Sequence, residues 1–344
     1  MTGTPFTLGL GETARPVWGR RALATAAPPA QSYEPPMAEK RRIRRVVRSR
    51  PTIEGAGVHL HRAIGFGPPE LTDPFLLLDD FRSDEPQQYL KGFPWHPHRG
   101  METITYVLRG DVEHGDSLGH QGVIGSGDVQ WMTAGSGIIH QEMPKGDREG
   151  AMYGFQLWAN LPAAKKMMAP RYRGITAAEI PEVTDAHGVR TKVIAGTVGG
   201  VTGPVRDVVT GPEYLDVAVP AGQSFTHPTV RGHTAFAFVI GGQGLFAEQE
   251  DPYSYEEEGE NYFDMQRDRL IGDGHLVLFG DGDAVTVAAE DEPVRFLLVS
   301  GKPIGEPVAW AGPIVMNTQA ELRLAFEELE RGTFIKDRGS AARK

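Results

Sequence analysis

Four side chains in this sequence have the types and spacing of a metal site: His96 and His98, then His140 and Glu142. On extended backbone, residues i and i+2 point to the same face. Each pair therefore presents two donors on one side of a strand, and two such pairs on facing strands converge on one ion. Three imidazoles and one carboxylate form a mixed nitrogen and oxygen set that suits a divalent first-row metal. If the ion is six-coordinate, four protein ligands leave two positions open, as in a catalytic or sensing centre. Pro97, between the first two histidines, fixes φ and removes a ladder donor, which suits a strand edge or barrel rim. The alternative is that His96 and His98 hydrogen-bond to acids such as Glu102, Asp116 or Asp128. Glu102 is also the nearest further carboxylate; the turn at Arg99 and Gly100 resets its strand parity, and it is expected to orient an imidazole N–H rather than to bind the ion. His59 and His61 are two apart as well, but no acidic pattern accompanies them, and they read as surface or packing histidines. His114 and His120 flank the turn EHGDSLGH, at the pocket mouth or on the surface.

Around the ligands stand Phe93, Trp95, Tyr106, Trp131, Met132, Ile138, Met143 and Phe155, with Gln130, Thr133 and Gln141 as polar neighbours. A mostly apolar cavity with a few convergent polar groups suits a small aromatic ligand. By alternation about half of these residues must face away. Trp131, Met132 and Phe155 are expected to clamp the rings.

The elements that must position these groups are short. From Ile43 onward the chain reads as brief strands separated by glycine turns, the pattern of an all-β sandwich or barrel. A break near 162–170 divides them into two sets. TAFAFVIGGQGLF in the second resembles TITYVLRGDV in the first, a weak repeat that predicts two barrels of one kind. A helix is expected over 319–331, with Thr318 and Glu321 as capping box and Leu322, Ala325, Phe326 and Leu329 at helical spacing. Residues 1–36, rich in Ala, Pro, Thr and Gly, read as a disordered N-terminal extension. Arg20 and Arg21 precede an apolar stretch too short, and too broken by Pro28 and Pro29, for an export signal. Met37 is the alternative start, and the expected location is the cytoplasm.

Composition narrows the chemistry. The 344 residues contain no cysteine, which excludes disulfides, thiolate metal sites, iron–sulfur clusters and thiol catalysis. No apolar run has the length of a membrane span. A net charge of −10 argues against wrapping a nucleic acid. Residues 40–50 are nevertheless strongly basic, and 248–268 are acidic.

The stretches HPHRGMETITYVLRG and HGDSLGHQGVIGSGDVQWMTAGSGIIHQEMP resemble the signature region of the pirin family. The resemblance implies two consecutive cupin barrels (double-stranded β-helix, or jelly-roll) and a C-terminal helix. The implied domains are a metal-binding cupin at 42–165, a second cupin without metal at 170–305 and a C-terminal segment at 306–344. It further implies one mononuclear Fe(II) on His96, His98, His140 and Glu142, although the donor set also accepts nickel, manganese, copper or zinc. His227 and His233 in the second barrel are expected to be structural or surface residues. Some members of the family open flavonols such as quercetin with O2, and here Glu142 would act as both ligand and catalytic base. Others resemble redox-dependent regulators that act through protein partners, so the alternative is an iron-dependent redox-sensing binding protein. Its contact surfaces would be the basic and acidic segments. The resemblance implies a monomer.

Overall fold

Alternation of side chains builds the first barrel. Its strands, with the one that precedes them, are β1 (Ile43–Arg48), β2 (Arg50–Glu54), β3 (Val58–Ile64), β4 (Phe75–Asp80), β5 (Phe93–His98), β6 (Met101–Arg109), β7 (Val112–Asp116), β8 (Gln121–Ile124), β9 (Val129–Thr133), β10 (Ile138–Pro144), β11 (Tyr153–Asn160) and β12 (Arg171–Ile175). The structure, a computed structural model, describes residues 38–248, 251–258 and 267–337. The expected extension at 1–36, most of the tail and part of the acidic insert lie outside the described residues.

A 7-stranded antiparallel sheet runs β12-β9-β6-β11-β4-β3-β2, and a 4-stranded sheet runs β5-β10-β7-β8. On one face of the larger sheet, Ile104, Tyr106, Trp131, Phe155 and Leu157 pack against Phe236, Phe238, Leu278, Leu297 and Val299 of the second barrel. Each such buried apolar side chain contributes roughly 1.5–3 kcal/mol. Tyr106 Oη donates to Asp216 across this boundary at 2.7 Å. The opposite face, turned into the first barrel, carries Thr105, Gln156, Asp79 and Arg62 in register on β6, β11, β4 and β3.

The second barrel is built on Arg190–Ala195, Glu213–Val219, Thr234–Phe246, His275–Phe279 and Val294–Gly301, with Ser224–Pro228 against Ala284–Ala288. Its alternation is of another kind. Phe236, Phe238, Leu297 and Val299 face the first barrel, while Ala237, Val239, Val277, Val287, Phe296 and Leu298 fill the interior. The first barrel instead mixes its polar row with an apolar cluster that includes Leu60, Phe81 and Val107.

Two segments cross between the halves. β1 pairs with His275–Phe279 of the second barrel, although it precedes the first in sequence. Its other edge takes Glu256–Glu258 as a parallel partner. The basic and acidic segments therefore meet each other: Arg45 pairs with Glu256 and Glu258, Arg50 with Glu258, and Lys40 with Glu248.

After its last long strand the chain returns to the first barrel. Ala309–Ala311 and Ile314–Met316 form a hairpin, and Ile314 bridges to Arg99. The helix Gln319–Glu330 follows, opened by the Thr318–Glu321 capping box. Among the described residues no helix is long and apolar enough to cross a membrane.

Candidate metal centre

β5 and β10 lie antiparallel, with His96 opposite His140 and His98 opposite Ile138. Residues two apart share a face, so the pairing brings the three imidazoles together. Ring centroids are 4.4, 4.8 and 5.0 Å apart. One donor nitrogen from each ring lies within 4.8 Å of the other two. The register shifts between His140 and Glu142, so that Glu142 stands opposite Phe93. Glu142 lines the same cavity as His96 and His98, but it stands outside the group of three, with Oε1 accepting from the Thr105 hydroxyl at 2.7 Å.

Backbone carbonyls set the tautomers. His96 Nδ1 lies 2.8 Å from Pro94 O, and His98 Nδ1 lies 3.2 Å from Pro313 O. A carbonyl only accepts, so Nδ1 carries the proton and Nε2 keeps its lone pair. Burial holds His96, His98 and His140 below the ordinary imidazole range, assisted at His98 and His140 by the neighbouring rings. All three are therefore neutral near pH 7, the form that binds metals. His140 Nε2 is buried without any hydrogen-bond partner. Such an atom costs about 1–3 kcal/mol unless something fills its lone pair. Neutral rings, converging lone pairs and a buried orphan nitrogen fit a divalent ion.

Burial pushes the Glu142 carboxyl up to about 7, against the pull of Thr105. Without metal, the folded chain keeps a proton there that the unfolded chain releases above about pH 4.5. The contribution of Glu142 to the stability of the metal-stripped protein should therefore fall by about 3 kcal/mol as pH rises from about 4.5 to 7, while the three depressed imidazoles contribute in the opposite direction. Glu142→Gln should remove only the first contribution, so the difference between the two proteins isolates it. Urea unfolding of both proteins with chelator present, at pH 5 and pH 7.5, measures it.

The cavity beside the imidazoles has a volume of about 710 Å³. Trp95 stands at its mouth, 54% exposed. Trp158 meets the His98 ring edge-on at 5.2 Å, and Trp310 lies 6.1 Å from Trp158. Trp310 and Pro313 come from the returning C-terminal segment and line the same space.

Several expectations require correction. Trp131 and Phe155 do not clamp a ligand; they sit in the core between the barrels, because their parity matches Ile104 and Leu157. Met132 packs on Ala134 and Ile138. Gln156 and Trp158, on the other face of β11, line the cavity instead. Glu102 does not orient an imidazole. It shares the parity of Ile104 and Tyr106 and accepts from Thr133 Oγ1 at 2.6 Å. The acids offered as alternative partners are used elsewhere: Asp116 holds His120, and Asp128 holds the amides of Gly125 and Ala177. His114 and His120 both stack on Tyr172, at 5.1 and 5.0 Å, and Tyr172 Oη lies 2.8 Å from His114 Nε2. His59 and His61 are exposed. In the second barrel His227 Nε2 meets Glu213 at 3.1 Å. Among the described residues no second group of three metal-capable side chains comes as close as the first.

Residues 57–159 match the model of the Pirin family, and 214–335 match that of the Pirin C-terminal cupin domain. The chain belongs to the pirin family. A pirin-like protein of Caulobacter vibrioides is 43% identical over 295 residues, 86% of this chain and 99% of its own length. Pirin-1 of Arabidopsis thaliana is 41% identical over 280 residues, 80% of this chain and 88% of its own. The crystal structure of a quercetin 2,3-dioxygenase from Acinetobacter baumannii superposes with a TM-score of 0.74 at 30% identity, covering 86% of this chain and 98% of that one. The two barrels are the two cupin domains of the pirin fold. The second family model runs past the helix Gln319–Glu330, so the returning segment belongs to the family pattern.

Proposed function

We propose that this pirin-family chain is a mononuclear non-heme iron protein with quercetin 2,3-dioxygenase activity. A flavonol and O2 would give a ring-opened phenolic ester and carbon monoxide. The observation that carries this reading is the convergence of His96, His98 and His140 at the wall of an aromatic-lined cavity of about 710 Å³. That volume lies within the ordinary range for small-molecule sites. The solved quercetin 2,3-dioxygenase of the same fold supports the choice of substrate class.

The three imidazoles and Glu142 would hold the ion. Bound iron supplies Lewis acidity and one-electron chemistry toward dioxygen. The chain's own part is to bind, orient and deprotonate. Trp158, Trp310 and Phe93 offer faces for planar rings. Glu142 lines the cavity beside His96 and His98 and would be placed to take the proton of the flavonol 3-hydroxyl. Thr105 keeps that carboxylate aimed into the cavity.

The test is anaerobic loading with Fe(II), followed by flavonol and air. Oxygen uptake should match flavonol bleaching and carbon monoxide release mole for mole. An iron-loaded chain that consumes no oxygen with any flavonol would remove this reading. The redox-sensing alternative placed its contacts on residues 40–50 and 248–268. Lys40, Arg45 and Arg50 are engaged with Glu248, Glu256 and Glu258 of the same chain, which favours the enzyme.

A further inference from the structure

The barrel-facing side of the larger sheet carries a polar row that the metal does not explain. Thr105, Gln156, Asp79 and Arg62 stand opposite one another on four successive strands. Neighbouring strands are spaced about 4.8 Å apart, so the row is about 14 Å long. At one end Thr105 touches Glu142 at 2.7 Å. At the other, the Arg62 guanidinium grips Asp79 through Nε and Nη2, both at 2.8 Å. Its Nη1 pairs with Glu54 at 2.9 Å. The side chains of Asp79 and Arg62 are 6% and 13% exposed, and that of Glu54 is 42% exposed. Glu54, Arg62, Asp79 and Gln156 all line the same cavity as the imidazoles.

This row is not required to fold a barrel of this kind. In the second barrel the corresponding interior is filled by residues such as Val239, Val277 and Leu298. A buried ion pair is weak as a source of stability, because its desolvation offsets its attraction. Its chemistry is directional. Two carboxylates around one guanidinium leave acceptor lone pairs and N–H donors side by side, with a net negative charge that disfavours an anionic guest. A vicinal diol on an aromatic ring both donates and accepts, and matches such a cluster.

We propose that Glu54, Arg62 and Asp79 form a second recognition subsite, in the cavity that His96 and His98 also line, that takes the dihydroxylated pendant ring of a polyphenol. The proposal rests on the flavonol reading and deepens it: the chain selects catechol-bearing flavonols over those with an unsubstituted phenyl ring. Gln156, between the two ends, spans the central ring system, and Leu60 and Leu77 supply its apolar bed.

The test is calorimetric titration of the nickel-loaded chain without dioxygen, so that nothing turns over. Two flavonols that differ only in the pendant ring, catechol against phenyl, are the probes. The catechol form should bind the unmodified chain about tenfold more tightly, the yield of one or two extra hydrogen bonds. Glu54→Gln, at a partly exposed position, and Asp79→Asn should each reduce that preference to less than about threefold. Thermal melts report whether each variant is folded, and Glu54→Gln carries the test if Asp79→Asn is not. Equal affinity for the two flavonols in the unmodified chain overturns the subsite and leaves the flavonol reading standing. An undiminished preference in folded Glu54→Gln overturns the assignment of the residues. Failure to bind either flavonol removes the flavonol reading, and the subsite with it.

Discussion

His140→Ala is expected to abolish flavonol-dependent oxygen uptake while leaving the fold intact. The reason lies in what His140 does not do. Its Nε2 is buried and makes no hydrogen bond within the chain, so truncation removes a desolvated polar atom with no partner to orphan. A small cavity remains, and the two effects oppose each other in stability. Metal binding has no such compensation. A four-ligand divalent site is typically worth about 10–16 kcal/mol, or about 3 kcal/mol per ligand, which is roughly a hundredfold in affinity. Competition with a chromophoric chelator measures that loss, and thermal melts of the metal-stripped proteins measure the fold. His98→Ala should lose metal to a similar degree and be less stable, because His98 also bonds Pro313 O and packs on Trp158. A His140→Ala chain that binds iron as tightly as its parent would show that the three imidazoles are not the site.

The sequence revealed the imidazole cluster because it is a matter of parity on two short strands. His96 and His98 on β5, and His140 on β10, share faces whatever the rest of the barrel does, and pairing of the two strands is enough to bring the rings together. The same rule misassigned Trp131 and Phe155. A strand buried on both faces shows hydrophobic residues at every position, so sequence does not say which face meets the cavity and which meets the other barrel. Polar residues on those strands were the better signal. Thr105, Gln156 and Asp79 mark the inward face, and Trp158 follows Gln156 at the same parity. Trp310 and Pro313 were not legible. They lie on a short hairpin, Trp310 in a three-residue strand and Pro313 in its turn, more than two hundred residues from His98, too short for a period to place them. Glu102 lies away from the imidazoles because the phase reset at Gly100 turns it to the face of Ile104 and Tyr106, where Thr133 donates to it.

Gly100→Ala should be severely destabilising although it removes no ligand. Gly100 has φ of +77°, and a Cβ there would lie 1.9 Å from Val315 O. The left-handed conformation costs a non-glycine residue about 1–2 kcal/mol. The clash adds to it, because Val315 cannot move alone. Its carbonyl accepts from Lys166 Nζ at 3.1 Å, and that ammonium also holds Gly100 O at 2.8 Å and Asn160 Oδ1 at 2.6 Å. Its amide donates to Arg99 O at 3.0 Å. Arg99 in turn holds Ser136 O, Phe334 O and Glu328. Displacing Val315 therefore loosens the whole returning segment and leaves buried acceptors unpaired, at about 1–3 kcal/mol each. A total loss of about 4 kcal/mol or more is expected in urea unfolding. Gly312→Ala is the control. It also has a left-handed φ, +53°, but nothing lies within 4 Å of its Cβ, so it should lose only the conformational part. The difference between the two variants isolates the contact. Metal affinity should follow the same order, although neither substitution touches a ligand, because His98 depends on Pro313 O for its tautomer. If both variants lose equal stability, the segment is not clamped at Gly100. If Gly100→Ala unfolds more easily yet keeps full metal affinity, the carbonyl of Pro313 does not govern His98.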